Sequence, residues 1–227
     1  MKDALGLVEE LAHPFNRAYV LTWTAALRIL RREVAEAAVW IDRALMFATE
    51  QAYPFWTAWA TAQRGWLSAQ QGQSDQAIAQ LEDGLSQTRA VGTEVTQASV
   101  MGWMGEALAS LGRTSDALRL IEQALDKVDR NRERWGEAEL LRLRGVVLLA
   151  ADTRAAESSC RQAIERSRQQ DAKSWELRAA ISLAHLWRDQ GRRAEACDLL
   201  APIYGWFTEG FDTADLQDAK ALLDELR

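Results

Sequence analysis

Small residues recur in this chain at intervals of about 40 residues, and this periodicity constrains the fold more strongly than any other sequence feature. Three ladders of small residues share the period. The first, with spacings of 40, 40, 39 and 40, consists of Ala37, Ala77, Ala117, Ala156 and Ala196. The second consists of Ala25, Gly65, Gly105, Gly145 and Ala184, and the third of Ala44, Gly84, Ala124, Ala163 and Ile203. Because two helices approach to ~8 Å only where one presents a small side chain, the ladders predict a stack of helix pairs.

Turn signals fall between the ladders. Gly72, Gly112 and Gly191 each lie seven residues after a member of the second ladder. Glycine commonly supplies the left-handed residue that ends a helix. In the fourth repeat the same turn reads Ala151-Asp152-Thr153 and the count is one residue short. We therefore expect a one-residue deletion in that turn.

These patterns predict an all-α fold in which antiparallel helix pairs form one domain over residues 1–227. Helix pairs are expected over 15–52, 54–91, 94–131, 134–170 and 173–208, and a C-terminal capping helix over 213–226. Pro202 lies inside the last predicted second helix, so we expect a kink or an early end there.

The first residues repeat a later part of the chain. Residues 4–15 match residues 44–55 at the same offset of 40. This match predicts that 1–13 form the second helix of a truncated repeat, and that the chain is the C-terminal piece of a longer protein. Its apolar residues Leu5, Val8 and Leu11 would lack their natural neighbour, so self-association through this edge is expected.

Composition excludes several classes of function. The net charge of −6 argues against nucleic-acid binding, which usually needs a basic face. No apolar run approaches the ~20 residues of a membrane helix. Two cysteines, Cys160 and Cys197, cannot make a disulfide framework, so a reducing cytoplasm is the expected location.

The small positions and inter-helix glycines resemble the tetratricopeptide repeat (TPR), in a form of about 40 residues instead of the usual ~34. The match is partial, since the consensus proline after the second helix appears only at Pro14 and Pro54. The resemblance implies a right-handed α-solenoid whose first helices line the concave surface. It also implies binding of a protein or peptide.

The final stretch, from SLAHLWRDQGRRAEACDLL to the closing helix, resembles the C-terminal end of large bacterial signal-transduction ATPases that also carry a class III adenylate/guanylate cyclase domain. The chain contains no GxxxxGK[ST] phosphate loop and no cyclase motif, so none of their catalytic residues transfer to it. The resemblance implies a regulatory role, in which the partner is a protein or peptide, or the ATPase or cyclase part of the same full-length chain.

No catalytic, cofactor-binding or metal-binding constellation is predicted. The two cysteines occupy packing positions, and there is no CxxC motif and no Cys/His cluster. His13 precedes Pro14 at a helix end, and His185 has Arg178 and Asp189 at helical spacing but no serine in a recognisable nucleophile setting. A non-catalytic protein-interaction and regulatory domain is therefore the leading hypothesis. A small-molecule effector sensor is the alternative, and an enzyme ranks third.

The repeat register also predicts a partner-binding face on the first helices. Its members are Tyr19, Trp59, Trp66, Glu106, Glu139, Arg142, Arg178, His185 and Arg188. We expect a partner with an apolar anchor near the tryptophans and an acidic end near the arginines. The alternative is that Trp59 and Trp66 pack between helices and that the arginines pair with local acids such as Glu139 and Glu176.

Overall fold

The computed structural model describes residues 6–8, 10 and 13–227, and their regular secondary structure is entirely helical. The all-α prediction is therefore confirmed. The helices are α1 (Pro14–Leu30), α2 (Val34–Glu50), α3 (Pro54–Gln70), α4 (Ser74–Ala90), α5 (Gln97–Ser110), α6 (Thr114–Asn131), a 3-10 helix (Arg134–Gly136), α7 (Glu137–Leu148), α8 (Thr153–Gln169), α9 (Lys173–Asp189), α10 (Arg193–Tyr204) and α11 (Ala214–Leu226).

The chain divides into two compact units, Met1–Leu111 and Gly112–Arg227. In unit 1, consecutive helices from α1 to α5 pack on one another, and α3 also contacts both α1 and α5. The ladder positions lie at the helix crossings: a Cβ added to Gly84 would come within 2.8 Å of the Cβ and 2.9 Å of the backbone nitrogen of Ala62. A crossing this close requires glycine.

Unit 2 contains α6 to α11 and a large core cluster in which α9 contacts α7, α8, α10 and α11. The crossing of α7 and α8 is again set by a glycine, since a Cβ added to Gly145 would lie 2.7 Å from the Sγ of Cys160. The closing helix buries Leu216, Leu222 and Leu226 in this cluster. It therefore covers an apolar face that would otherwise be exposed.

The turns explain the shortened fourth repeat. Arg32, Gly72, Gly112 and Gly191 follow the first helices of the other repeats, and all four have a left-handed backbone, with φ between 57° and 78°. The fourth turn has no such residue. Instead, the side chain of Asp152 caps α8 by accepting a hydrogen bond from the Ala155 amide at 3.0 Å. The residue deleted from the fourth repeat is thus the one that has a left-handed backbone in the other turns.

Some helix boundaries differ from the prediction. Helix α5 begins at Gln97, because Thr96 before it is left-handed, with φ of 69°. A 3-10 turn precedes α7, so that helix begins at Glu137. Helix α10 ends at Tyr204, two residues after Pro202, as the early-end prediction anticipated.

The predicted helix over 3–12 falls largely outside the described residues, which omit 1–5, 9, 11 and 12. The truncated repeat, its apolar edge and self-association therefore stay predictions, as does the single-domain organisation. Val8, which is described, is buried. Among the described residues, no helix is long and apolar enough to cross a membrane.

Candidate interaction surfaces

Five aromatic side chains of unit 1, which we name the aromatic surface, are joined by ring contacts: Phe15, Tyr19, Trp23, Tyr53 and Trp56. Phe55 adjoins them through Trp56, with ring centroids 4.7 Å apart. Phe15, Tyr19 and Trp23 lie at intervals of four residues on α1, and therefore on one helix face. Trp56 lies beneath them on α3, with ring centroids 5.8 Å from Phe15 and 5.5 Å from Tyr19. Phe15 and Tyr19 remain 47% and 49% exposed, whereas Trp56 is 6% exposed. Two half-exposed rings thus rest on a buried indole.

Trp59 and Trp66, expected as candidate anchors for a partner, are core residues. Trp59 is 1% exposed and stacks on Trp103, with ring centroids 5.4 Å apart and planes 15° apart. Trp66 is 5% exposed and belongs to a core cluster with Ala25 and Ile41. Their burial corrects the expectation that they face a partner and decides in favour of packing between helices.

Several polar atoms inside unit 1 have no hydrogen-bond partner among the described residues. They include the indole Nε1 atoms of Trp23, Trp56 and Trp59 and the Oε1 atom of Gln63. The Gln63 amide is half satisfied, since its Nε2 donates to the backbone oxygen of Thr22 at 3.1 Å. An unpaired buried donor costs about 1–3 kcal/mol. The aromatic part of unit 1 therefore retains unused hydrogen-bonding capacity.

Unit 2 presents charged groups on its first helices. Glu139, Arg142, Arg178 and Asp215 form what we name the ion-pair cluster. Arg142 donates to both oxygens of Glu139 at 2.8 and 2.7 Å. Arg178 contacts Asp215 through two nitrogens, at 2.6 and 3.1 Å, and reaches Glu139 at 3.6 Å. All four side chains are less than a fifth exposed, so the cluster joins α7, α9 and α11 with matched charge.

The electrostatics of the cluster favour the charged forms. Burial alone would raise the pKa of Glu139, but the Arg142 and Arg178 guanidiniums outweigh burial and lower that pKa to about 2. The charges of Arg142 and Arg178 are therefore already balanced by carboxylates of this chain, and neither arginine needs an acidic partner molecule. The alternative of pairing with local acids holds for Glu139. Glu176, however, pairs with Arg168 and Lys173.

The other residues of the predicted partner-binding face lie outside the aromatic surface and the ion-pair cluster and have separate interactions. Arg188 donates to Asp189 at 2.9 Å and to Glu225 of α11 at 3.0 Å. His185 is half-buried, and burial together with Arg188 lowers its pKa. Glu106 is half-buried on α5 and has an interaction partner. Of the nine predicted residues, Tyr19 lies on the aromatic surface, and Glu139, Arg142 and Arg178 lie in the ion-pair cluster.

Cys160 does not have the surroundings of a reactive thiol. Cys160 is 2% exposed, and burial raises its pKa to about 11 despite the opposing effect of Arg142. Cys197 is half-buried and free. Among the described residues, no group of three or more His, Cys, Asp or Glu side chains could hold a metal ion.

Each unit also carries an open groove. An apolar groove of about 430 Å³ lies in unit 1 where α2 and α4 end, and is lined by Thr49, Pro54 and Val91 among others. A groove of about 390 Å³ in unit 2 is rich in acids from α6, α7 and α8, including Glu122, Asp126 and Glu165. Both grooves are open to solvent, so neither encloses a small molecule.

Sequence reasoning missed Asp215, Phe15 and Trp56. Asp215 lies beyond the last repeat, where the 40-residue register assigns no partner. Phe15 was detectable, because the Pro-Phe pair at 14–15 recurs at 54–55 and marks the start of a first helix. Trp56 lies three residues before Trp59, close to the face that the register selected.

No protein-family model matches the chain, and no curated protein matches it. Several solved structures are similar. PlcR of Bacillus thuringiensis, in complex with the peptide PapR7 and DNA, aligns with a TM-score of 0.72 and 13% identity, over 92% of this chain and 74% of PlcR. The kinesin light chain nearly identical TPR-like repeats of Podosopora anserina align with a TM-score of 0.56 and 15% identity, over 83% of this chain and 93% of theirs.

A third similar structure is the Signal Transduction ATPase with Numerous Domains protein with a tetratricopeptide repeat sensor from Pyrococcus horikoshii. It aligns with a TM-score of 0.54 and 13% identity over 94% of this chain, which spans 38% of that protein. At such low identity these similarities show the fold alone. The fold of this chain is the TPR-like helical repeat.

Proposed function

We propose that this chain is a non-catalytic repeat domain that binds a peptide segment of a regulatory partner on the first helices of unit 1. The single observation that carries the proposal is the aromatic surface, where the rings of Phe15 and Tyr19 stay half-exposed above a buried indole. Large exposed rings that rest on neighbouring side chains are the type of group that dominates binding energy at protein interfaces.

Two similar structures support the proposal. PlcR carries a bound peptide in its solved complex, and the Pyrococcus horikoshii protein has its repeats as the sensor of an ATPase. By the same likeness, together with the resemblance of the final stretch, the proposal includes a place in a larger cytoplasmic signalling ATPase or nucleotide cyclase. The grooves of both units are open, which supports a peptide-binding scaffold over an effector-enclosing sensor.

The test is a selection of peptides from a random display library on the immobilised chain. We expect enriched peptides whose affinity falls about ten-fold on Tyr19→Ala, because an exposed anchoring ring is lost. Phe211→Ala is the matched control, since Phe211 is a ring of unit 2 with the same 47% exposure as Phe15. Enriched peptides that bind the Tyr19→Ala chain as tightly as the original chain would contradict the proposal.

A further inference from the structure

The aromatic surface combines two properties that restrict the chemical class of ligand it can bind. Its exposed part consists of the rings of Phe15 and Tyr19, and none of its five side chains is charged. The Nε1 donors of Trp23, beside these rings on α1, and of Trp56, beneath them, are buried and have no acceptor among the described residues. A complementary ligand therefore supplies flat or ring-shaped apolar groups and also hydrogen-bond acceptors.

We propose that the aromatic surface binds a proline-containing segment in the polyproline II conformation, with its carbonyl oxygens accepting the indole N–H groups of Trp23 and Trp56. This inference rests on the proposed function and names the class of peptide. Polyproline II has no internal hydrogen bonds, so every carbonyl is free to accept. Its proline rings pack against aromatic side chains, and its restricted backbone loses little entropy on binding.

Other ligand chemistries fit less well. A partner helix has satisfied its own backbone carbonyls and offers apolar side chains without acceptors. A cationic group would find aromatic rings, but the five side chains provide no carboxylate to neutralise it. The uncharged lining and the unpaired donors together favour a neutral segment with free carbonyls.

Tyr19 controls access to the two donors. Its ring contacts both indoles, with centroids 6.1 Å from Trp23 and 5.5 Å from Trp56, and neither Nε1 atom is exposed to solvent. Because Tyr19 is itself half-exposed, its ring can shift away from the indoles without opening the helix packing. We expect the bound segment to pack against the shifted Tyr19 ring and to reach at least one indole N–H.

The experiment is a titration of the intact ¹⁵N-labelled chain with decaproline, followed through the indole N–H signals in two-dimensional NMR spectra. The chain has 10 tryptophans, and the signals of Trp23 and Trp56 are assigned from Trp→Phe variants. We expect these two signals to move downfield, as new hydrogen bonds require, while those of Trp175 and Trp187 in unit 2 stay in place. A glycine-serine peptide of equal length is the control ligand and should move neither.

Variants separate ring packing from hydrogen bonding. Tyr19→Ala should weaken decaproline binding about ten-fold. Trp23→Phe keeps an aromatic ring and removes one donor, so we expect a loss of about five-fold. Phe211→Ala should change nothing. Unmoved Trp23 and Trp56 signals at saturating decaproline would overturn the inference.

Two further outcomes decide between ligand classes. If tetramethylammonium moves the Trp23 and Trp56 signals and decaproline does not, the surface is a cation site and the inference is wrong. If the library selection yields peptides that require Tyr19 but contain no proline, the inference fails while the proposed function stands. A peptide selection that yields no Tyr19-dependent binder overturns the proposed function itself.

Discussion

The first helices of the two units use the same repeat position in opposite ways. The position six residues before each member of the second ladder is held by Tyr19, Trp59 and Ser99 in unit 1 and by Glu139 and Arg178 in unit 2. In unit 1 the rings associate by packing, and their N–H donors stay unpaired. In unit 2 the charges meet in a matched cluster.

This difference indicates which groups are still able to bind a partner. Ion pairs that are already formed inside a cluster have little left to offer, and breaking them carries a cost. Exposed rings next to unpaired donors can form new packing contacts and hydrogen bonds with a ligand. We therefore expect the ion-pair cluster to stabilise the packing of α7, α9 and α11, and we propose the aromatic surface as the region available for recognition.

The largest expected effect concerns the close helix crossing of unit 1. Gly84→Ala should lower the free energy of unfolding by about 3 kcal/mol, because the new Cβ would meet the backbone nitrogen of Ala62 at 2.9 Å. Urea unfolding measures the change. Gly205→Ala is the control, since no atom lies closer than 3.3 Å to an added Cβ there. An equal, small loss in both variants would show that the crossing is not sterically limited.

The next effect tests the ion-pair cluster of unit 2 through pH. The pKa of Glu139 is lowered from 4.5 to about 2, so its stabilising contribution is complete above pH 4.5 and is lost as the pH falls toward 2. Glu139→Gln should cost about 2 kcal/mol at pH 7 and should flatten the pH dependence across that window. Glu165→Gln, at an exposed position of α8, should leave both unchanged. Urea unfolding at pH 7, 4.5, 3 and 2 gives both quantities, and parallel curves for the original chain and Glu139→Gln would contradict the assignment.

A smaller effect distinguishes the glycine crossings of the two units. An alanine at Gly145 would collide first with the Sγ of Cys160, which is a side-chain atom that can be removed. We expect Gly145→Ala with Cys160→Ala to be about 1 kcal/mol more stable than the sum of the single changes. Gly84 is less open to such rescue, because the backbone nitrogen of Ala62 lies 2.9 Å from its added Cβ, whereas the nearest backbone atom at Gly145, the oxygen of Ala156, lies 3.1 Å away. Additive single effects at 145 and 160 would show that the thiol does not set this crossing.

The smallest expected effect is on the stability of the aromatic surface. Phe15→Ala and Tyr19→Ala should each change the free energy of unfolding by about 0.5 kcal/mol, because both rings are half-exposed. Thermal unfolding measures this change. A loss as large as that of Gly84→Ala would make these rings core residues and would remove the contrast between the units.

The sequence predicted the helices well because glycine and alanine at 40-residue intervals report directly on helix crossings. It also located the shortened turn, where the residue lost is the left-handed one. It could not separate Tyr19 from Trp59, since both occupy one register position, although Trp59 is buried and stacked on Trp103 while Tyr19 is half-exposed. Nor could it find Asp215, whose pairing with Arg178 depends on how α11 packs outside the repeat.

The turn at Asp152 has a consequence for how such arrays diversify. The repeat loses a residue there without shifting the phase of α7 or α8, because the change falls in the connection and an aspartate cap replaces the left-handed residue. A length change confined to a turn leaves each helix pair interchangeable with its neighbours. Duplication, deletion or recombination at these turns can therefore lengthen or shorten the array while every crossing stays in register.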